Sequence, residues 1–292
     1  MYRQISIHKD DRNLQRILWY DSQGQIQPYQ LIISAYGNVR APFLALRVLQ
    51  QLIVDDGYRS PKAIPALTKR RYVDDIFGGA ESIDETREII TQVVHLCMAG
   101  GFPLQKWSSN CAELLDDLAA SPGFNAPSVK LESPRVKVLG LCWHPHLNTF
   151  TYESVPSPHQ NITKRSILSE TAQLYDPLGL IAPVLIRAKI PIQELWLLRI
   201  QWDSPLPPEL QDQWSAFKQQ LLTLNNFNIP RWLNTSSTVL SIQLHGFSDA
   251  SQLAMAAVVY LRVETPNTEI QINIVCARTK VAPLKKPCFV LS

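Results

Sequence analysis

The stretch Arg71-Tyr72-Val73-Asp74-Asp75-Ile76-Phe77-Gly78 sets two adjacent carboxylates between short runs of strand-forming residues. Tyr72-Val73 and Ile76-Phe77 read as the arms of a β-hairpin, with Asp74-Asp75 as its tight turn. An arbitrary Asp-Asp dipeptide is most often a solvated surface turn. Here the apolar flanks predict a hairpin buried up to its tip. Two neighbouring carboxylates repel, and one resists ionising unless a cation lies between them. An oxygen-only pair of this kind suits Mg²⁺ or Mn²⁺, which complete their shells with water and substrate phosphates.

The chain around this hairpin alternates short strands with amphipathic helices. Tyr2 to Ile7, Ile17 to Tyr20 and Leu31 to Ala35 read as strands, with Asp21-Ser22-Gln23-Gly24 as a turn. Pro42 opens a helix whose inward stripe is Phe43, Leu46, Leu49, Gln50 and Ile53. A second helix runs from Ser82 to Met98, capped by Ser82 with Glu85 and burying Ile89, Val93, Leu96 and Cys97. Phe102 to Trp107 reads as a strand, and Val136 to Trp143 as one arm of a hairpin with Asn148 to Tyr152. Strands and helices in this order predict an α+β fold, a mixed sheet with helices on one face. Pro156 to His159 reads as a linker, followed by helices over Thr163–Tyr175, about Ala182–Ile200 and Pro208–Leu224. Three strands close the chain: Leu240–Leu244, Ala256–Arg262 and Glu269–Ala277.

Composition narrows the classes little. With 46% hydrophobic and 18% charged residues the chain is an ordinary folded protein, and its net charge of +3 fits a nucleic-acid partner without requiring one. The five cysteines form no Cys-x-x-Cys pair, which argues against a zinc ribbon and a disulfide framework and favours an intracellular setting. Cys142, His144 and His146 read as strand and turn, not as a zinc site. The best apolar run, Leu178 to Ile192, is interrupted by Arg187 and Lys189, so no membrane span is expected. Met1 is followed by polar residues, so no signal peptide is expected either.

Tyr72-Val73-Asp74-Asp75 resembles the metal-binding hairpin of reverse transcriptases, and nearly the whole chain resembles the Pao/BEL group of LTR retrotransposon polyproteins. The supporting stretches are Met1-Tyr2-Arg3-Gln4-Ile5, Asp10 to Arg16, Tyr36-Gly37, Ala41 to Ala45, Lys106-Trp107 and Leu139 to Trp143. Further on come Tyr175-Asp176-Pro177-Leu178-Gly179, Ile186 to Ile190 and Phe247-Ser248-Asp249-Ala250-Ser251. The resemblance implies a right-hand polymerase palm over residues 1–155, a helical thumb or connection over 156–235, and the first part of a ribonuclease H-like domain over 236–292. It implies template-directed nucleotidyl transfer with two metal ions, on an RNA or DNA template-primer with deoxynucleoside triphosphates, inside a cytoplasmic retroelement particle that holds the rest of the polyprotein.

Residue by residue, the resemblance implies that Asp74 and Asp75 bind metal and that Gly37 and Lys106 contact the nucleotide. Tyr72, Leu141 and Trp143 would contact nucleic acid. Asp249 would be one of the ribonuclease H carboxylates, and Lys164, Arg165, Arg187 and Lys189 would lie near a duplex backbone. Arg40 departs from the small residue usual at its place. A further palm Asp is expected four residues before the methionine that corresponds to Met1, upstream of this chain, and that coincidence reads as a frame opened inside an element. The ribonuclease H glutamate expected after Pro283-Leu284-Lys285 has no counterpart. The chain is therefore expected to be impaired on its own. The alternative is a non-catalytic retroelement remnant that at most binds nucleic acid. An aspartic peptidase is rejected, because no Asp is followed by Thr-Gly or Ser-Gly.

Overall fold

The computed structural model describes residues 1–120, 135–138, 141–152, 161–267 and 269–284. The expected linker Pro156–His159, the pair Leu139-Gly140 and the last eight residues lie outside these. The fold is mixed α+β, built of helices and small antiparallel sheets. Contacts divide it into two compact units, Met1–Leu131 and Glu132–Ser292.

In the first unit, Met1 to Gln4 forms a 3₁₀ turn where a strand was expected. The backbone groups of this turn bond locally, Gln4 N–H to Met1 C=O at 2.9 Å. Leu31–Ala35 is likewise reduced to one bridge, Ser6 with Ile33. β1 (Arg16–Tyr20) pairs instead with β2 (Ile26–Gln30) across a turn in which Asp21 Oδ1 accepts the N–H of Gln23 and of Gln25.

α1 (Ala41–Asp56) begins one residue before the expected Pro42, and its buried face is Ala41, Ala45, Leu49 and Leu52. Phe43, expected inside, is 66% exposed. Small alanines let α1 pack closely against α2 (Ala63–Thr68) and α3 (Ile83–Ala99), and bulkier Phe43 and Leu46 are left on the flank. Ser82 Oγ accepts the Glu85 N–H at 3.2 Å, the expected cap of α3. Gly100 ends that helix where a Cβ would lie 2.6 Å from Leu52 Cδ2. β3 (Arg71–Tyr72) and β4 (Asp75–Ile76) form the acidic hairpin. Phe102 to Trp107 is irregular where a strand was expected, with Lys106 at φ +59°. α4 (Ala112–Ala120), not foreseen, is tied to α3 by Arg87, which bonds Glu113 and Asp117.

In the second unit, β5 (Val136–Val138), β6 (Leu141–His144), β7 (Thr149–Thr151) and β8 (Ile229–Pro230) form one antiparallel sheet in that order. Val136–Trp143, expected as one strand, is thus two. α5 (Lys164–Gln173), α6 (Ala182–Leu197) and α7 (Pro208–Leu221) pack around a core that includes Leu141, Tyr152, Ile167, Leu195, Trp214 and Phe217. Buried Glu170 joins α5 to α7 by accepting from Trp214 Nε1 at 2.8 Å and Lys218 Nζ at 3.1 Å. The expected three-strand meander is present and longer than foreseen: β9 (Ser241–Ala250), β10 (Ala254–Glu264) and β11 (Ile270–Val281), in the order β11-β10-β9.

The turn Tyr175 to Ile181 links α6 to β11. Asp176 accepts the Tyr152 hydroxyl at 2.6 Å and the N–H groups of Leu180 and Ile181 at 2.9 Å each. Leu178 C=O accepts the Ala277 N–H at 2.8 Å. Gly179, at φ +75°, lies so close to β11 that a Cβ would overlap the Ala277 carbonyl.

Candidate functional site

The β3–β4 hairpin places its carboxylates one residue out of the expected frame. Tyr72 pairs with Asp75, so the two-residue turn is Val73-Asp74 and Asp75 belongs to the returning strand. Val73 has φ +53° and Asp74 is not among the positive-φ residues. A positive φ at the first turn position alone is the type II′ pattern, which normally uses glycine there. A β-branched residue in that region is strained by about 1–3 kcal/mol. Strain of this kind persists where surrounding structure imposes it, and it concentrates at sites of function.

The hairpin is not buried to its tip as expected. Tyr72 is 54% exposed, Asp74 and Asp75 are exposed, and only the base packs inward, through Ile76. The cause is alternation: in the register Arg71 with Ile76 and Tyr72 with Asp75, one face carries Ile76 toward the core and the other carries Tyr72 and Asp75 to solvent. The Asp75 carboxyl is held above its ordinary range, mainly by partial desolvation and then by the charge of Asp74, while Lys106 pulls it down. Asp74, Asp75 and Lys106 are thus electrostatic neighbours, and the positive φ of Lys106 belongs to the irregular segment that brings it there. Arg71, on the inward face, has one buried guanidinium nitrogen, Nη1, without a hydrogen-bond partner among the described residues.

The other expected site residues are dispersed. Gly37 occupies a separate turn before α1, at φ +85°, with open space where a Cβ would be. Leu141, expected at a nucleic-acid contact, is 3% exposed and packs in the core of the second unit. Trp143 is half-buried, donates from Nε1 to Asn148 Oδ1 at 3.3 Å and lies under the Arg231 guanidinium, 5.3 Å from the ring centre. Asp249 is exposed near the end of β9, where its Oδ1 accepts the Ala250 N–H at 2.8 Å. Among the described residues no three His, Cys, Asp or Glu side chains cluster to hold a metal.

The basic residues expected beside a duplex are mostly engaged internally. Lys164 is buried, its ammonium 3.4 Å from the Trp196 ring centre and bonded to Ile200 C=O. Arg165 forms a two-point pair with Asp203, and Arg187 donates to Gln220. Lys189 alone of the four is exposed without such a contact among the described residues.

Comparison with known proteins bears on the second half of the chain. Residues 163–290 match the model of the Pao retrotransposon-like RNaseH-like domain. This supports a retrotransposon ribonuclease H-like part that takes in both the helices α5–α7 and the β9–β11 meander. No curated protein matches the chain. No helix among the described residues is long and apolar enough to cross a membrane.

Sequence reasoning missed the Tyr152–Asp176 pair and the strain at Val73. Asp176 stands in a quoted motif, but only the fold brings Tyr152 to it, 24 residues away in sequence. Nothing in a Tyr-Val-Asp-Asp string marks which residue takes the positive φ.

Proposed function

We propose that the chain is part of a retroelement reverse transcriptase, in which Asp74 and Asp75 hold Mg²⁺ or Mn²⁺ for template-directed nucleotidyl transfer. The observation that carries this reading is a pair of adjacent carboxylates on a strained, solvent-facing turn with Lys106 beside them. Two exposed oxygen donors with one carboxyl resisting ionisation suit a hard divalent cation, which offsets the partial desolvation and, after it, the like charge of Asp74 that raise Asp75. When bound, such metals activate a primer hydroxyl and neutralise the triphosphate. The side chains have separate tasks. Asp74 and Asp75 fix the cation, Lys106 offers a positive charge to a phosphate, and Tyr72 presents its ring on the same face as Asp75. Asp249, in the family-matched region, is the corresponding first acid of a ribonuclease H-like site.

One observation favours the second reading, a remnant that binds nucleic acid without turnover. Among the described residues no third acid joins Asp74 and Asp75, and a two-metal site needs more carboxylate than one hairpin supplies.

Calorimetric titration of the full chain with Mn²⁺ and Mg²⁺ tests the metal site directly. Binding should be lost in the Asp74→Asn/Asp75→Asn double variant, and it should strengthen as pH rises through the raised Asp75 pKa. Affinity unchanged in that variant removes the metal assignment. Primer extension on a primed RNA template separates the two readings: little or none is expected of the isolated chain. Robust extension abolished by Asp74→Asn overturns the remnant.

A further inference from the structure

Arg231 follows β8 directly and is fixed to the β6–β7 hairpin at three points. Its backbone N–H donates to Asn148 C=O at 2.9 Å, its Nε donates to Asn148 Oδ1 at 2.6 Å, and its guanidinium lies over the Trp143 ring, 5.3 Å from the centre. Asn148 is set in the hairpin turn at φ +51°, and its Oδ1 also accepts from Trp143 Nε1 at 3.3 Å. The guanidinium is thus seated on a half-buried ring and clamped at its inner nitrogen. Its two outer nitrogens have no hydrogen-bond or ion-pair partner among the described residues, and the residue is exposed. A free arginine carries about 2 kcal/mol of rotamer entropy that a ligand must quench. Here the fold has already quenched much of it. Partial desolvation pulls the Arg231 pKa down, but a guanidinium stays charged in a protein. What results is a rigid fork of fixed positive charge, the geometry that matches an anion with two oxygens to offer.

We propose that Arg231 is a phosphate-binding residue for an unpaired nucleic-acid strand, with Trp143 and Asn148 as the residues that position it. Charge admits a polyanion: the stretches 135–138, 141–152 and 227–240, which supply the β5–β8 sheet and its turns, contain no Asp or Glu. Nothing in them repels a phosphate chain. The rings select a single strand. Trp232, next in the chain, is 46% exposed, and Phe227, just before β8, is 54% exposed. Exposed rings beside a fixed cation hold single strands, because unpaired bases stack on the rings while the cation tracks the backbone. A duplex presents phosphates but keeps its bases stacked inside. An acidic peptide presents carboxylates without bases to stack. Trp143 serves nucleic acid in this arrangement through Arg231. The inference rests on neither Asp74 nor Asp75, and it applies to a polymerase and to a remnant alike.

Fluorescence anisotropy of a labelled oligothymidylate with the full chain, over a series of salt concentrations, tests it. Wild type should bind, with affinity falling as salt rises. Arg231→Ala should weaken binding roughly tenfold, the worth of one charge-assisted contact, and make the log–log salt slope shallower by about 0.7. Arg231→Lys keeps the charge and should keep the slope, yet lose affinity severalfold, since an ammonium is a point charge without the planar fork. Asn148→Ala releases the clamp and should lower affinity with the slope unchanged. A merely structural role for Arg231 would not move the slope in one variant and spare it in the other. Circular dichroism verifies that each variant keeps its fold, and Mn²⁺ titration reads the Asp74-Asp75 site separately. No binding by wild type at low salt overturns the proposal, as does wild-type affinity and slope in Arg231→Ala. So does equal affinity for the same strand paired with oligoadenylate, or displacement by polyglutamate as effective as by unlabelled oligothymidylate.

Discussion

Two turns in this protein set an aspartate beside a residue of positive φ, and they treat it in opposite ways. At Tyr175–Ile181 the left-handed residue is Gly179, at no steric cost, and Asp176 is satisfied by one hydroxyl and two backbone N–H groups. Burial and the bond to Asp176 in turn push the Tyr152 phenol upward, which keeps it a donor. At β3–β4 the left-handed residue is Val73, and Asp75 faces a like charge in a partly desolvated position. The first turn is solved as a structural joint. The second holds strain and unrelieved charge, which a ligand is suited to discharge.

The largest break in this comparison comes from Gly179→Ala. A Cβ overlaps the Ala277 backbone in the native arrangement, and the positive φ disfavours alanine as well. Neither β11 nor the turn can shift without losing the Ala277–Leu178 hydrogen bond. We expect a loss of about 4 kcal/mol or more in chemical denaturation, the range of backbone strain combined with core disruption. A loss under ~1 kcal/mol would mean the joint is not tight. The opposite substitution, Val73→Gly, should stabilise the chain by about 1 kcal/mol, because relieved strain exceeds the added entropy of glycine in the unfolded state. If Val73→Gly destabilises, the turn is not strained.

The contrast also explains what could be read in the sequence. α1, α3, α5, α6, α7 and the β9–β11 meander were legible because Pro42, Ser82 and Thr163 mark helix starts and β10 and β11 carry several β-branched residues. Thr163 forms a capping box with Ser166. The inward face of α1 was misread because Ala41 and Ala45 carry little apolar signal, yet close packing of neighbouring helices selects them over Phe43. β8 could not be foreseen, since Ile229-Pro230 gains strand character only by pairing with Thr149-Phe150 some eighty residues earlier. At the candidate site, the pairing of Asp74 with Asp75 was visible and its frame was not. One residue of register decides which carboxylate sits in the strand, and Val73, a poor turn residue by type, gave no sign of taking the turn.

The smallest effect is the most specific. A carboxyl whose folded pKa is raised above its unfolded value favours folding only while protonated, so that contribution is lost as pH rises through the folded pKa. Asp75→Asn should therefore stabilise the metal-free chain at pH 7 by a few tenths of a kcal/mol, a small figure because the group is exposed and screened. The gain should vanish below the ordinary carboxylate pKa of about 3.9, where wild type is protonated as well. Saturating Mn²⁺ should reverse the order at pH 7, since a ligand that binds only the folded wild type stabilises it by mass action. Thermal melts of both proteins at pH 3 and 7, with and without Mn²⁺, give all the comparisons. If Asn at 75 destabilises the metal-free chain at pH 7, then Asp75 is a structural acid of the same kind as Asp176, and the difference between the two turns disappears.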